Sequence, residues 1–199
     1  MPFPVTLSVE TPPRIRRRRT VLMVILLPLH LAVLTVLAVV GAVMLAVSWL
    51  TIVVSGRHPD GLIRFWVGLI RYAARFNTHM LVLNTRYPPL RFDSSDDDPG
   101  GYTTRIDFEP HRGRRSRLGV LVRPVPALPL LVFLVAVWSA RNWILFAVAL
   151  PTLIVAGRWP DGLREVVVEM QAAEVRIGAY FVMLVDRYPP FDLTGLAGR

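Results

Sequence analysis

The sequence predicts a mainly α-helical integral membrane protein. It is read as two tandem repeats, each a long apolar helix plus an amphipathic membrane helix, with short surface strands. Three observations carry this. Hydrophobic residues make up 53% of the 199 positions, and the excess is gathered into two blocks, residues 21–54 and 128–156, rather than spread evenly. Gly56-Arg57-His58-Pro59-Asp60-Gly61-Leu62 returns as Gly157-Arg158-Trp159-Pro160-Asp161-Gly162-Leu163. Arg86-Tyr87-Pro88-Pro89 returns as Arg187-Tyr188-Pro189-Pro190. The offset is 101 residues at both ends, and 13 of the 37 pairs between 56–92 and 157–193 are identical.

Composition narrows the chemistry. Cysteine is absent, which removes disulfides, thiolate nucleophiles and sulfur-ligated metals. The net charge is +9 and all 23 basic residues are arginine. A basic balance suits nucleic acid or an anionic membrane surface. Beside two apolar blocks the expected partner is a lipid bilayer with anionic headgroups, and an arginine-only, Ala/Val/Leu-rich chain points to a bacterial plasma membrane. Other membrane proteins or a second copy of the chain are the further expected partners. The arginine-rich linker has little aromatic interleaving and adjoins an acidic tract, which argues against nucleic acid.

Residues 1–20 hold a short apolar–polar alternation at 5–10, the period of a half-buried strand. A basic run follows, Arg14, Arg16, Arg17, Arg18 and Arg19, which suits a juxtamembrane anchor. The apolar run at 21–54 is 34 residues long, against roughly 7–15 for the core of a signal peptide, so it reads as a retained anchor. At 1.5 Å per residue it would be about 51 Å long, while a bilayer core of about 30 Å takes roughly 20 helical residues. It must tilt, project, kink at Pro28, or fold back near Val40-Gly41. Arg141-Asn142 lies at the equivalent point of the second block. A charge at the bilayer midplane costs about 2.5–3.5 kcal/mol on insertion scales, so Arg141 faces protein or water, or marks a bend at the surface.

Repeat 1 takes residues 21–93 and repeat 2 residues 127–193, with a tail at 194–199. In each Gly-Arg-x-Pro-Asp-Gly turn, Gly56 and Gly157 suit a helix C-cap, and Asp60 and Asp161 suit the N-cap of the next helix. The signature residues are expected to be structural: Gly56, Arg57, Pro59, Asp60, Gly61, Gly157, Arg158, Pro160, Asp161 and Gly162, with the two Arg-Tyr-Pro-Pro ends. The second helix of the first copy, 62–83, carries Arg64, Arg71, Arg75 and His79 along one stripe. The matching stripe of the second copy is Glu165, Glu169 and Arg176. Two readings stay open for these helices: an intramembrane pairing of Arg64 or Arg71 with Glu165 or Glu169, or two interfacial helices whose charges meet water and phosphates.

The linker, 94–126, is expected to be cytoplasmic. Asp93-Ser94-Ser95-Asp96-Asp97-Asp98 opens it. Carboxylates suit a hard cation, but the spacing is not that of an EF-hand, and a flexible solvated tract is the expectation. Residues 102–109 form a second candidate strand, which could pair with 5–10. Arg112, Arg114, Arg115, Arg117 and Arg123 follow. One crossing per apolar block and one per second helix gives a multi-pass topology with both termini cytoplasmic and Arg57 and Arg158 in short outer loops, as the positive-inside rule favours.

No catalytic, metal or cofactor residues are expected. His30, His58, His79 and His111 make no ligand spacing, and no Gly-rich phosphate loop or nucleophile elbow occurs. The Gly-Arg-x-Pro turns and the Arg-Tyr-Pro-Pro ends resemble a bacterial and archaeal membrane family catalogued as domain of unknown function 4389. The likeness runs over residues 5–93 and 102–193. Asp186-Arg187-Tyr188-Pro189-Pro190-Phe191 is close to that family's form. The first copy departs at Thr85 and Leu90, and His58 and Trp159 stand at the turn Tyr. The resemblance implies an integral membrane protein and no activity. The function expected is a non-enzymatic accessory, scaffold or lipid-interacting role, with a small transporter or channel at the repeat interface as the alternative. Arg64, Arg71, Glu165, Glu169 and Arg141 would line its path.

Overall fold

In the computed structural model, described for residues 3–12, 15, 17–84, 92–160 and 162–191, helices dominate. In chain order they are β1 (Val5–Val9), α1 (Arg17–Ser55), α2 (Asp60–Met80), β2 (Thr104–Phe108), α3 (Arg117–Val122), α4 (Pro124–Ile144), a π-helical turn (Leu145–Ala149), α5 (Leu150–Ala156) and α6 (Leu163–Phe181). Among the described residues, two helical stretches are long and apolar enough to cross a membrane, Ala32–Ser55 and Pro124–Ala156.

The elements stack in three layers. The back layer is the sheet, in which β1 and β2 pair antiparallel. The two alternating segments do pair, because each has one apolar face and Val5, Ile106 and Phe108 bury theirs, while Thr6, Ser8 and Arg105 stay exposed. Thr6 pairs with Asp107, the residue 101 positions on.

The middle layer is α2 and α6, which pack on each other, with β2 on α2 and β1 on α6. The front layer is α1 beside α3, α4 and α5. α1 does not fold back: it runs unbroken for 39 residues through Pro28 and Gly41. Gly41 lets α2 approach closely, since a Cβ there would lie 3.6 Å from Leu69 and 3.9 Å from Trp66. The Trp66 indole donates to Ser48 Oγ at 2.9 Å. The second apolar block carries its irregularity as a π turn just after Arg141.

The front helices are antiparallel and touch at both ends. The Gly56 carbonyl accepts from the Arg115 amide at 2.9 Å, and the Gly157 carbonyl from the Ile15 amide at 2.8 Å. The expected topology needs the two Gly-Arg turns on one side of a membrane; here they lie at opposite ends of α1.

Three local expectations are corrected. Asp60 does not cap α2: Pro59 holds the N-cap position, and the Asp60 carboxylate instead accepts from Arg112 at 2.7 Å. Gly162, in the left-handed region at φ 77, is the N-cap of α6, while Asp161 lies outside the described residues. The acidic tract is not a solvated run. The Asp98 side chain is wholly buried and the Asp93 side chain half-buried.

Candidate functional site

Arg71 shows why the tract is ordered. It is fully buried in the middle of α2, where a guanidinium left alone would be prohibitively costly. Its fork donates to the backbone carbonyls of Asp93 at 2.5 Å, Ser95 at 2.8 Å, Asp96 at 3.1 Å and Ile106 at 2.8 Å. Asp98 lies 3.5 Å away as counter-charge. One turn on, Arg75 donates to Asp93 at 2.6 Å and to both oxygens of Asp98 at 2.9 and 3.0 Å, and it covers the Tyr102 ring at 4.2 Å. Burial alone would raise the Asp98 carboxyl. Amide donors from Ile106 and Gly100 and the Arg75 and Arg71 charges outweigh it and hold Asp98 below the usual carboxylate range. Burial lowers the Arg71 pKa, and Asp98 opposes that.

A second cluster sits between α4 and α6. Arg141 is buried and donates to Gln171 Oε1 at 2.5 Å and Glu174 Oε2 at 2.6 Å. Of the readings left open for Arg141, the fold selects burial against protein.

The expected pairing of Arg64 or Arg71 with Glu165 or Glu169 does not form. Arg71 is committed to the linker, and Arg64 is exposed beside Phe65, Phe92 and Ser94. Glu165 pairs with its neighbour Arg164 at 2.5 Å, and Glu169 lies 3.5 Å from Arg176 on its own helix. The stripes diverge because α2 turns its charged face to the linker while the second helix meets α4. Asp93, Asp98, Gln171 and Glu174 are the partners the sequence reading missed. The i, i+4 spacing of Arg71 and Arg75 signals one face, but nothing local reveals what that face meets.

The signature turns are structural joints. Gly56 (φ 71) and Gly157 (φ 68) end α1 and α5 in the left-handed region. A Cβ at Gly157 would stand 3.2 Å from the Ile15 carbonyl oxygen. Arg57, Pro59 and Gly61 are exposed, as is Arg158, and Pro160 is half-buried. The variable turn position reaches across the molecule. His58 Nδ1 donates to the Met183 carbonyl at 3.2 Å, and Trp159 Nε1 to the Val82 carbonyl at 3.2 Å. Val82 and Met183 are themselves left-handed, at φ 57 and 61, and each ends its helix: the Leu83 amide returns to Thr78 at 3.0 Å and the Leu184 amide to Ala179 at 2.9 Å.

Arg86, Tyr87, Pro88 and Pro89 lie outside the described residues. In the second copy Tyr188 Oη donates to the Pro126 carbonyl at 3.1 Å and its ring meets Tyr180 edge-on at 5.4 Å. Pro189 is buried; Arg187 and Pro190 are exposed.

The largest feature is apolar. Val36, Val40, Val43, Val47, Leu50 and Val54 form one exposed stripe along α1. Leu121, Val125, Leu128, Val132, Val135 and Val155 expose a similar face on the antiparallel helix. A groove of ≈ 540 Å³ lies between α1 and α4, with Ala42, Leu45, Trp49 and Leu131 among its walls, Tyr180 and Met183 also lining it, and Arg123 at its margin. Among the described residues no group of three or more His, Asp or Glu is placed to hold a metal ion.

Residues 17–91 match the model of a family described as domain of unknown function (DUF4389). No curated protein and no solved structure matches the chain.

Proposed function

With residues 17–91 matching the model of the DUF4389 family, we propose that the chain is a non-enzymatic integral membrane protein of the bacterial plasma membrane. It interacts with lipid and holds a rigid polar scaffold against the bilayer. The observation that carries this reading is the exposed apolar face of the two front helices. Val36 is 62% exposed, Val132 70% and Val155 72%, and contiguous apolar surface on this scale marks a membrane or protein contact. The formal charge of +9 favours anionic headgroups.

The chain is read as two copies of one unit. Supporting this are the pairing of Thr6 with its 101-offset counterpart Asp107, the reciprocal bonds of His58 and Trp159, and the matched left-handed Val82 and Met183.

The transporter reading ranks second and draws less support. Its candidate charges are divided between the Arg71–Asp98 and Arg141–Glu174 clusters, each closed by its own partners, and the groove is lined almost wholly by apolar side chains.

Fractionation tests the proposal. The protein should stay with membranes through high salt and alkaline carbonate and leave only in detergent. Release by salt or carbonate would refute an integral role. Anion flux in protein-loaded liposomes would promote the transporter.

A further inference from the structure

Resting on the membrane reading above, we propose that the protein lies flat in a single leaflet. α1 and the α3–α5 helix run parallel to the membrane plane with their shared outer face among the acyl chains, and the two-stranded sheet faces water.

α1 has 39 residues, about 58 Å at 1.5 Å per residue, against a hydrocarbon core of about 30 Å. The exposed apolar face of its partner runs from Leu121 to Val155, about 51 Å. Upright, some 20 Å of that face would stand in water or headgroups. Flat, all of it meets lipid.

Arg71, in the middle of α2, donates to Ile106 at the centre of β2, and α2 runs beside Gly41 and Ser48, well inside α1. With the front helices upright, the sheet would therefore sit at the level of the bilayer interior. The linker closes the outer edge of β2, through the Ile106 amide to Asp98 and the Phe108 amide to the Asp96 carbonyl. β1 has no such cover among the described residues, and lipid-exposed edges do not occur within hydrocarbon. Its outer face carries Thr6, Ser8 and Arg105. Flat, these groups point away from the membrane.

Trp138 and Trp143, 56% and 72% exposed, fall near the middle of Pro124–Ala156. Upright, they would lie at the midplane, whereas Trp favours the headgroup level. Exposed Arg57 and Arg117 sit at one end of the front layer and Arg158 at the other. Flat, all three reach the headgroups of one leaflet, where a polar-backed helix pair buries its apolar face about 5–10 Å deep. The groove between α1 and α4 then opens toward the acyl chains.

The absence of cysteine makes the test direct. Val36→Cys, Val43→Cys, Val54→Cys and Val132→Cys, each bearing an environment-sensitive fluorophore, go into vesicles of phosphatidylcholine and phosphatidylglycerol holding nitroxide lipids labelled near the headgroup or near the chain end. Flat placement gives all four positions the same preference for the shallow quencher, within about two-fold. Strong deep quenching at Val43 and Val132 with shallow quenching at Val54 overturns it. Impermeant thiol reagents supply an independent check: Arg57→Cys and Arg158→Cys should both be protected in intact cells and both label in inverted vesicles. One labelled from each side refutes the flat placement while leaving the membrane reading intact. No quenching at any position by either lipid removes the membrane reading and this inference together.

Discussion

Trp159 and Val82 are joined across 77 positions of sequence by a hydrogen bond from the indole Nε1 to the carbonyl at 3.2 Å. His58 and Met183 make the equivalent bond at the same distance. The first turn thus docks at the end of α6 and the second at the end of α2, and the carbonyl each uses belongs to a residue held at positive φ. The variable position of the Gly-Arg-x-Pro turn is a ring nitrogen donor in both turns.

Val82 is 1% exposed and, at φ 57, adopts a backbone conformation that strains a β-branched residue. Val82→Ala should lower stability through lost burial. Val82→Gly should be more stable than Val82→Ala by about 1 kcal/mol, since only glycine takes this φ freely. That reverses the usual order in helices. Denaturant titration in detergent micelles reads the difference, and the Trp159 bond survives both changes because it goes to the backbone.

His58 predicts an acid-sensitive joint. Burial pushes its pKa down to about 4, the Arg115 charge adds to this, and the Met183 carbonyl opposes it. With Nδ1 donating, a second proton would fall on Nε2, which has no hydrogen-bond partner. The unfolded ring titrates near 6.5, so the unfolded chain binds the proton first. Stability is therefore complete above pH 6.5 and falls as pH drops toward 4, by about 3 kcal/mol from this group. His58→Phe should flatten that part of a stability–pH profile.

Arg71→Met should cost about 3–5 kcal/mol, because it leaves the carbonyls of Asp93, Ser95, Asp96 and Ile106 without their donor and leaves Arg75 as the one arginine paired with the buried Asp98 among the described residues. Limited proteolysis should then open the chain between residues 93 and 101. Arg71→Lys should rescue only part of the loss, since an ammonium cannot reproduce the planar fork. Unchanged melting in Arg71→Met would show that the cluster contributes little.

Arg141 and Glu174 make the complementary case. Either Arg141→Leu or Glu174→Leu alone leaves a buried charge unpaired and should cost about 3–5 kcal/mol, while the double change to leucine should recover most of it. Thermal unfolding of the four proteins in one detergent gives the coupling. Additive losses would show that the 2.6 Å pair carries no such interaction.

The elements with a local signature were legible in the sequence. Gly56 and Gly157 end helices where a left-handed residue is needed, and the alternation at 5–10 and 102–109 marks the two strands that pair. Arg71 and Arg75 at i, i+4 mark a shared face. Their partner was not legible. Asp98 lies 23 residues beyond Arg75, and the Asp-rich run looks like solvated chain until an arginine pair is laid against it. The alignment of Arg64 with Glu165 suggested a pairing across the copies, yet sequence symmetry says nothing about which way each helix turns its charged side.

By itself, the sequence determined the two long apolar segments, the turns that end them, the paired alternating strands and the chemistry ruled out by the lack of cysteine. All of these depend on periodicity or on the conformational needs of single residues. Only the tertiary structure decided which side of α1 is exposed and which packs against the rest of the chain. A helix that is apolar all round carries no phase from which its buried face could be read. The tertiary structure also decided that Gly56 and Gly157 stand at opposite ends of an antiparallel pair, and that Arg141 meets Glu174. Those outcomes depend on contacts between segments far apart in the chain, which no local pattern encodes.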